Sequence, residues 1–259
     1  MMTNNVDNSP IKLEICVYNM QSCLVAQNSG AQRVELCASM PEGGITPSRT
    51  LIEQAKKNLL IDVMVMIRPR GGDFFYDEWE FKQMIGDIDL CRKIGVAGVV
   101  FGVLTPEGNV DIQRNKVLLE VAGSMQTCFH RAIDMTKDYE QSAKDITNLG
   151  FTRILTSGAM NKVCDGLQKI KSISSLVGNK VEIMVGSGVN PYNIKSIYDT
   201  VKPNAFHFSA KKIFSGGMLY KNPIVSMGGF GGISEYDLVI SDGDEIKKAR
   251  NVINSLQMQ

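Results

Sequence analysis

Histidine is nearly absent from this chain of 259 residues, which holds only His130 and His207. A zinc centre takes three or four ligands in tetrahedral array, and two histidines so far apart offer no ready-made cluster. A surplus of charge is missing too: 28 basic against 27 acidic residues leave +1, too weak a field to hold a nucleic acid or an anionic membrane. Neither partner is expected. No apolar run approaches the ~18 residues that span a bilayer, and the polar start lacks the apolar core of a signal peptide. A cytoplasmic protein is therefore expected. Six cysteines occur, at 16, 23, 37, 91, 128 and 164, with no C-x-x-C pair. Reduced thiols are expected in place of a disulfide framework.

What the chain does have is periodic. With 44% hydrophobic and 21% charged residues, it can bury a large core. Short apolar runs at 12–17, 33–37, 61–68, 97–102, 126–131, 152–157, 181–186 and 205–209 read as strands. Helical stretches lie between them, one entered through Pro47 at a first helical position. The handover from helix to strand recurs as NSGAQRVELC, KIGVAGVVFG and NLGFTRILTS, each a helix end, a glycine and a strand. Such a βα repeat predicts a closed parallel TIM (β/α)8 barrel, with a doubly wound open sheet as the alternative. A flexible N-terminus at 1–11, a barrel over 12–213 and a C-terminal extension over 214–259 are expected. The extension reads as a glycine-rich loop, GGFGG at 228–232, and a helix packing on the barrel, with Asp242 and Glu245 in capping-box spacing.

Side chains alternate along a strand, so polar residues at every second position of an otherwise apolar strand face the barrel interior. That count sends Glu14 and Cys16, Glu35 and Cys37, Arg68, His130, and His207 with Ser209 inward. Buried charges cost several kcal/mol each unless paired, on the order of the desolvation penalty, which suggests one network of Glu14, Glu35 and Arg68. The centre of the pattern is MQTCFHRAID at 125–134, a strand that ends on polar groups. There His130 suits a general acid or base, oriented by Asp134 or Glu35. IRPRGGDF at 67–74 sets Arg68, Arg70 and Asp73 around two glycines, a layout for gripping an anion or else a salt-bridged turn. GSGVNPYNI at 186–194 presents backbone amides, with Gly186 and Gly188, where barrels commonly bind phosphate, and Ser209 completes the site; the other reading is a tight turn. A Schiff-base aldolase would want an inward lysine, and strands three to seven carry none. Cys16 and Cys37 end adjacent strands on one face, a soft pair that suits Cu(I) if it is not simply core.

RVELCASMPEGGITPS, VMIRPRGGDF, GVVFGVLTPEG, TCFHRAIDM, GFTRILTSG and FHFSA together resemble the copper homeostasis protein CutC family, from about Leu13 to Ala210 and faintly on to Tyr236. The resemblance implies a TIM-like barrel, a cytoplasmic homodimer or larger homo-oligomer, and Cu(I) held by two cysteines on the first two strands, the positions of Cys16 and Cys37. One departure is GSG at 186–188, where relatives often read GGG. Two functions are thus expected to compete. One is a Cu(I)-binding homeostasis protein; the other is a barrel enzyme acting on a small phosphorylated or carboxylated metabolite, with His130 as acid or base and Arg68 and Arg70 neutralising the anion.

Overall fold

Strands buried on both faces need apolar residues at nearly every position, and the chain supplies them in eight pieces. A computed structural model describes residues 10–225 and 234–258. Within it β1 (Lys12–Val17), β2 (Arg33–Leu36), β3 (Asp62–Met66), β4 (Gly98–Phe101), β5 (Gln126–Phe129), β6 (Arg153–Thr156), β7 (Glu182–Val185) and β8 (Ala205–Phe208) pair in parallel, in chain order. Strand β8 returns to β1 and closes the barrel, so the TIM fold stands and the open sheet does not. Most of the expected tail at 1–11, and the GGFGG loop, lie outside the described residues.

The helices α1 (Met20–Asn28), α2 (Arg49–Asn58), α3 (Glu78–Ile94), α4 (Ile112–Ala122), α5 (Tyr139–Leu149), α6 (Leu167–Val177) and α7 (Ile194–Val201) cover the strands. Local chemistry sets their ends. Asp77 and Glu80 form a reciprocal capping box on α3, and Gly95 ends it with φ +79°, a left-handed turn that a side chain resists. Between sheet and helices lies the main core, including Leu13, Ile15, Val34, Leu36, Val99 and Phe206. A smaller apolar cluster fills the barrel itself, where Met64, Met66, Val100, Cys128, Leu155 and Met184 meet Cys16 and Cys37. Gly98 belongs to this interior layer, and a Cβ there would sit 2.3 Å from the Gln126 carbonyl oxygen and 2.5 Å from Met64 Cε.

After β8 the chain makes a feature with no alternating signature in sequence. β9 (Lys211–Ser215), exposed at all five residues, pairs antiparallel with β10 (Asp237–Ser241), which enters α8 (Gly243–Gln257) through the Asp242 cap. Helix α8 packs against α7 and α1, burying Ile246, Ala249, Ile253 and Leu256. Arg250 Nη1 donates to the Ile11 carbonyl at 3.1 Å and ties the helix to the barrel. Among the described residues no helix is long and apolar enough to cross a membrane.

Candidate functional site at the barrel mouth

Barrel register decides which inward residues meet. It sets Glu14 opposite both Arg33 and His207, and Cys16 opposite Glu35. Arg33 Nε donates to Glu14 at 2.8 Å, and His207 Nδ1 lies 2.9 Å from the other carboxylate oxygen. His207 Nε2 reaches toward Glu35 at 3.6 Å. Burial opposes charge on Glu14, but Arg33 and then His207 overcome it and bring its pKa down to about 2. For His207 burial is again the largest opposing effect, and Glu35, Cys16 and Glu14 outweigh it, so the ring is held protonated. Glu35 goes the other way: burial, reinforced by Cys16 and Glu14, drives its pKa well up against the pull of His207. Its Oε1 is buried without a partner among the described residues.

Arg33 was available to the same every-second-residue count that found Glu35, and it is the residue the sequence reading left out. The network expected of Glu14, Glu35 and Arg68 is built on Arg33 instead. Below it a further buried guanidinium, Arg153, donates to Glu182 at 2.7 Å. Arg68 stands apart, donating from Nη1 to the carbonyls of Glu42 (2.7 Å) and Gly44 (3.0 Å) and from Nη2 to that of Gly72 (2.8 Å). It stitches together the loops after β2 and β3, so most of its donors are spent on backbone.

The thiols meet as expected. Cys16 Sγ and Cys37 Sγ are 3.8 Å apart, Cys16 is 3.3 Å from Tyr18 Oη, and Cys37 is 3.6 Å from Glu35 Oε2. Contact with Cys37 is the largest influence on Cys16 and, with His207, lowers its pKa well below the thiol range despite burial. Burial first, then Cys16, pushes Cys37 well up. The two thiols are thus driven in opposite directions. Donor atoms of Cys16, Glu35 and Cys37 lie within 4.8 Å of one another, as do those of Glu14, Glu35 and His207. In the second set Glu14 is already taken by Arg33.

Three other expectations meet a different geometry. Arg70 pairs with Glu80 at 2.6 Å and with Asp73 at 3.1 Å and donates to the carbonyls of Gly71 and Phe75. The loop at 67–74 is thus the salt-bridged turn, and Arg70 is absent from the cavity wall. Asp134 accepts from Arg131 Nε (2.8 Å), Thr156 Oγ1 (2.6 Å), Ser157 Oγ (2.9 Å) and the Ala159 amide (2.9 Å), pinning the loop after β6. It does not orient His130. Gly186 is a packing glycine, since a Cβ there would approach Leu155 Cδ1 to 2.8 Å.

Among the described residues no carboxylate pairs with His130. Its ring sits against Phe74, 4.8 Å between centroids, and Phe129, at 6.1 Å. Nδ1 accepts the Ala132 amide at 3.3 Å, which leaves the ring proton on Nε2, a buried atom with no partner among the described residues. Burial, then the charge of Arg68, pushes its pKa down to about 3. A neutral, fixed imidazole of this kind is a hydrogen-bond donor; it does not take up a proton near neutrality, and the acid–base role expected of it does not fit.

These residues face a cavity of about 830 Å³ whose wall includes Cys16, Glu35, Arg68, His130, His207 and Ser209. Gly188 lies on it too, with Ser187 and Lys162 from loops and Lys211 and Lys212 from β9, all outside the eight barrel strands to which the inward count applies. A second hollow of about 630 Å³ lies outside the barrel between α2 and α3, away from all of these groups.

Fold and mouth together define a TIM barrel that carries a buried thiol, carboxylate and imidazole cluster at the C-terminal ends of its strands, the face where barrels hold their sites. The chain belongs to the CutC family, whose sequence model matches residues 11–212. It is 41% identical over 244 residues to a CutC family protein of Bacteroides fragilis, covering 94% of this chain and 96% of that one. A human copper homeostasis protein cutC homolog is 35% identical, with 94% and 89% covered. The solved structure of Streptococcus agalactiae CutC superposes with a TM-score of 0.74 at 33% identity, covering 77% of this chain and 98% of that one.

Proposed function

We propose that this protein binds Cu(I) through the sulfurs of Cys16 and Cys37 and serves copper homeostasis. The observation that carries the reading is the 3.8 Å approach of two sulfurs, that of Cys16 on the cavity wall, with its thiol pKa held low by Cys37 and His207. Soft thiolates select Cu(I) over harder divalent ions. Bonds of about 2.3 Å, the length zinc makes to thiolate, span two sulfurs by at most about 4.6 Å. A pair at 3.8 Å therefore opens by less than about 1 Å to bracket an ion. Cys16, 8% exposed, gives the entry side and Cys37, fully buried, the inner side. The relatives' names point the same way.

The test is an anaerobic Cu(I) competition titration of the reduced protein beside the Cys16→Ser/Cys37→Ser variant. Tight one-to-one binding that the variant loses is expected. Equal affinity in both proteins would overturn the reading.

A further inference from the structure

The mouth is chemically lopsided. Acceptors and thiols gather on β1, β2 and β8, whereas the wall toward β5 and the loops after β7 and β8 is made of donors. The amides of Ser187, Gly188 and Val189, and of Ser209 and Ala210, donate to no acceptor among the described residues, and all five residues line the cavity. Lys162 and Lys211 line the same wall and make no ion pair among the described residues, while Lys212 is 3.2 Å from Asp242. Glu245, also on the wall, is taken by Lys248 at 2.8 Å. The remaining acids of the wall, Glu35 and Glu42, belong to its other side.

An independent observation points to a ligand. His130 is 3% exposed, lines this cavity, and presents Nε2–H with no acceptor among the described residues. A buried donor without a partner forfeits its desolvation cost, and here its orientation is fixed from behind by the Ala132 amide and from the sides by Phe74 and Phe129.

We propose that this wall binds a phosphate monoester of a small oxygen-bearing carbon skeleton, with the phosphate held by the loops after β7 and β8 together with Lys162 and Lys211, and a carbonyl or hydroxyl oxygen of the skeleton accepting from His130 Nε2–H. The donors outnumber what the two oxygens of a carboxylate engage and suit a dianion with three terminal oxygens. Loops after the seventh and eighth strands are where TIM barrels commonly seat phosphate. A cavity of about 830 Å³ falls within the range that takes small molecules. Because the imidazole is neutral, it polarises the ligand oxygen without adding charge. None of this uses Cys16 or Cys37, so the proposal stands apart from the copper reading.

The experiment is calorimetric titration of the reduced, metal-free, full-length protein with dihydroxyacetone phosphate, glycerol 3-phosphate, inorganic phosphate, glycerol and pyruvate. The two esters bind, inorganic phosphate binds more weakly, and glycerol and pyruvate give no heat. Lys162→Ala/Lys211→Ala weakens esters and inorganic phosphate alike, by about tenfold or more. His130→Phe weakens the esters by about tenfold and leaves inorganic phosphate unchanged, and His130→Gln, which keeps an N–H donor, recovers part of the loss. The proposal is overturned by absence of heat with every phosphate compound at millimolar concentration, by ester binding indifferent to the lysine pair, or by pyruvate binding as tightly as the esters. It is also overturned by a His130→Phe effect of equal size on inorganic phosphate. If His130→Phe does not fold, the lysine variant and the ligand series decide alone.

Discussion

The two histidines face one cavity and are held in opposite states. His207, on the β1–β2–β8 side, has the carboxyl groups of Glu14 and Glu35 at its two ring nitrogens and is kept protonated. His130, across the mouth, has aromatic rings and a guanidinium around it and is kept neutral, its pKa down at about 3. Burial opposes the charged ring in both, so what differs is the sign of the nearest charge. One side of the barrel is a charge network around an imidazolium and a low-pKa thiol; the other is a wall of donors. Position on a strand does not predict a histidine's role until the neighbouring strands are known.

Removing a member of the charge network should do the most damage. Arg33 and Glu14 are each fully buried, with Nε–Oε2 at 2.8 Å, and deleting one partner strands the other. Arg33→Met is expected to cost about 3–5 kcal/mol of folding stability, measured by urea denaturation at neutral pH. Adding Glu14→Gln to that variant should recover part of the loss. A cost below ~1 kcal/mol for Arg33→Met would mean that the network is not the strut of its side.

Next comes Arg68, the residue that joins the loops after β2 and β3. Arg68→Met loses three backbone-carbonyl hydrogen bonds from a charged donor and is expected to destabilise by about 3 kcal/mol. It also takes a positive charge from beside His130 and should raise that ring's pKa. With only two histidines in the chain, their ring-proton NMR signals read this directly. An unmoved His130 titration would leave burial as its sole restraint.

The contrast itself has a pH signature. His130 titrates at about 3 in the folded protein against 6.5 for an ordinary histidine. A depressed folded pKa contributes stability that is present above the unfolded value and lost as pH falls from 6.5 toward 3. The loss at pH 5, relative to pH 8, is about 2 kcal/mol. His130→Phe should flatten that part of the stability–pH curve. His207 has the reverse sign, stabilising below its unfolded pKa and losing that contribution only as pH rises through a strongly elevated value. A wild-type curve no steeper than that of His130→Phe between pH 8 and 5 would remove the contrast.

The barrel and its inward face were legible because a parallel strand covered on both sides leaves one spare position in two, and Glu14, Cys16, Glu35, Cys37, His130 and His207 occupy it. Adjacency was not legible. His207 meets Glu14 across 193 positions only because β8 closes on β1 in one register, and no local spacing encodes that. Arg33 was within reach of the pattern, two residues before Glu35. The roles of Arg68, Arg70 and Asp134 were not, since each is spent on loop carbonyls, loop amides or a helix-borne carboxylate whose positions come from tertiary packing. Lys162, Ser187 and Lys211 escaped for the same reason. β9 escaped because both of its faces are exposed, which erases the alternation that marks a half-buried strand.

Smallest of all should be the change at Ser187, the middle residue of the GSG turn at 186–188. Ser187 sits at φ +72°, in the left-handed region that costs a side-chain-bearing residue about 1–2 kcal/mol. Glycine relieves that strain, but it loosens the unfolded chain by about 0.4–1 kcal/mol. It also discards the hydrogen bond that Ser187 Oγ donates to the Asn161 carbonyl at 2.6 Å, which is worth about 0.5–1.5 kcal/mol. The three contributions nearly cancel, so Ser187→Gly should shift stability by less than about 1 kcal/mol in either direction. A loss above ~2 kcal/mol would show that the Ser187–Asn161 contact between the loops after β7 and β6 carries more than one hydrogen bond's worth. The donor wall would then be held by a side chain, as its charged counterpart is, and not by the turn of the backbone alone.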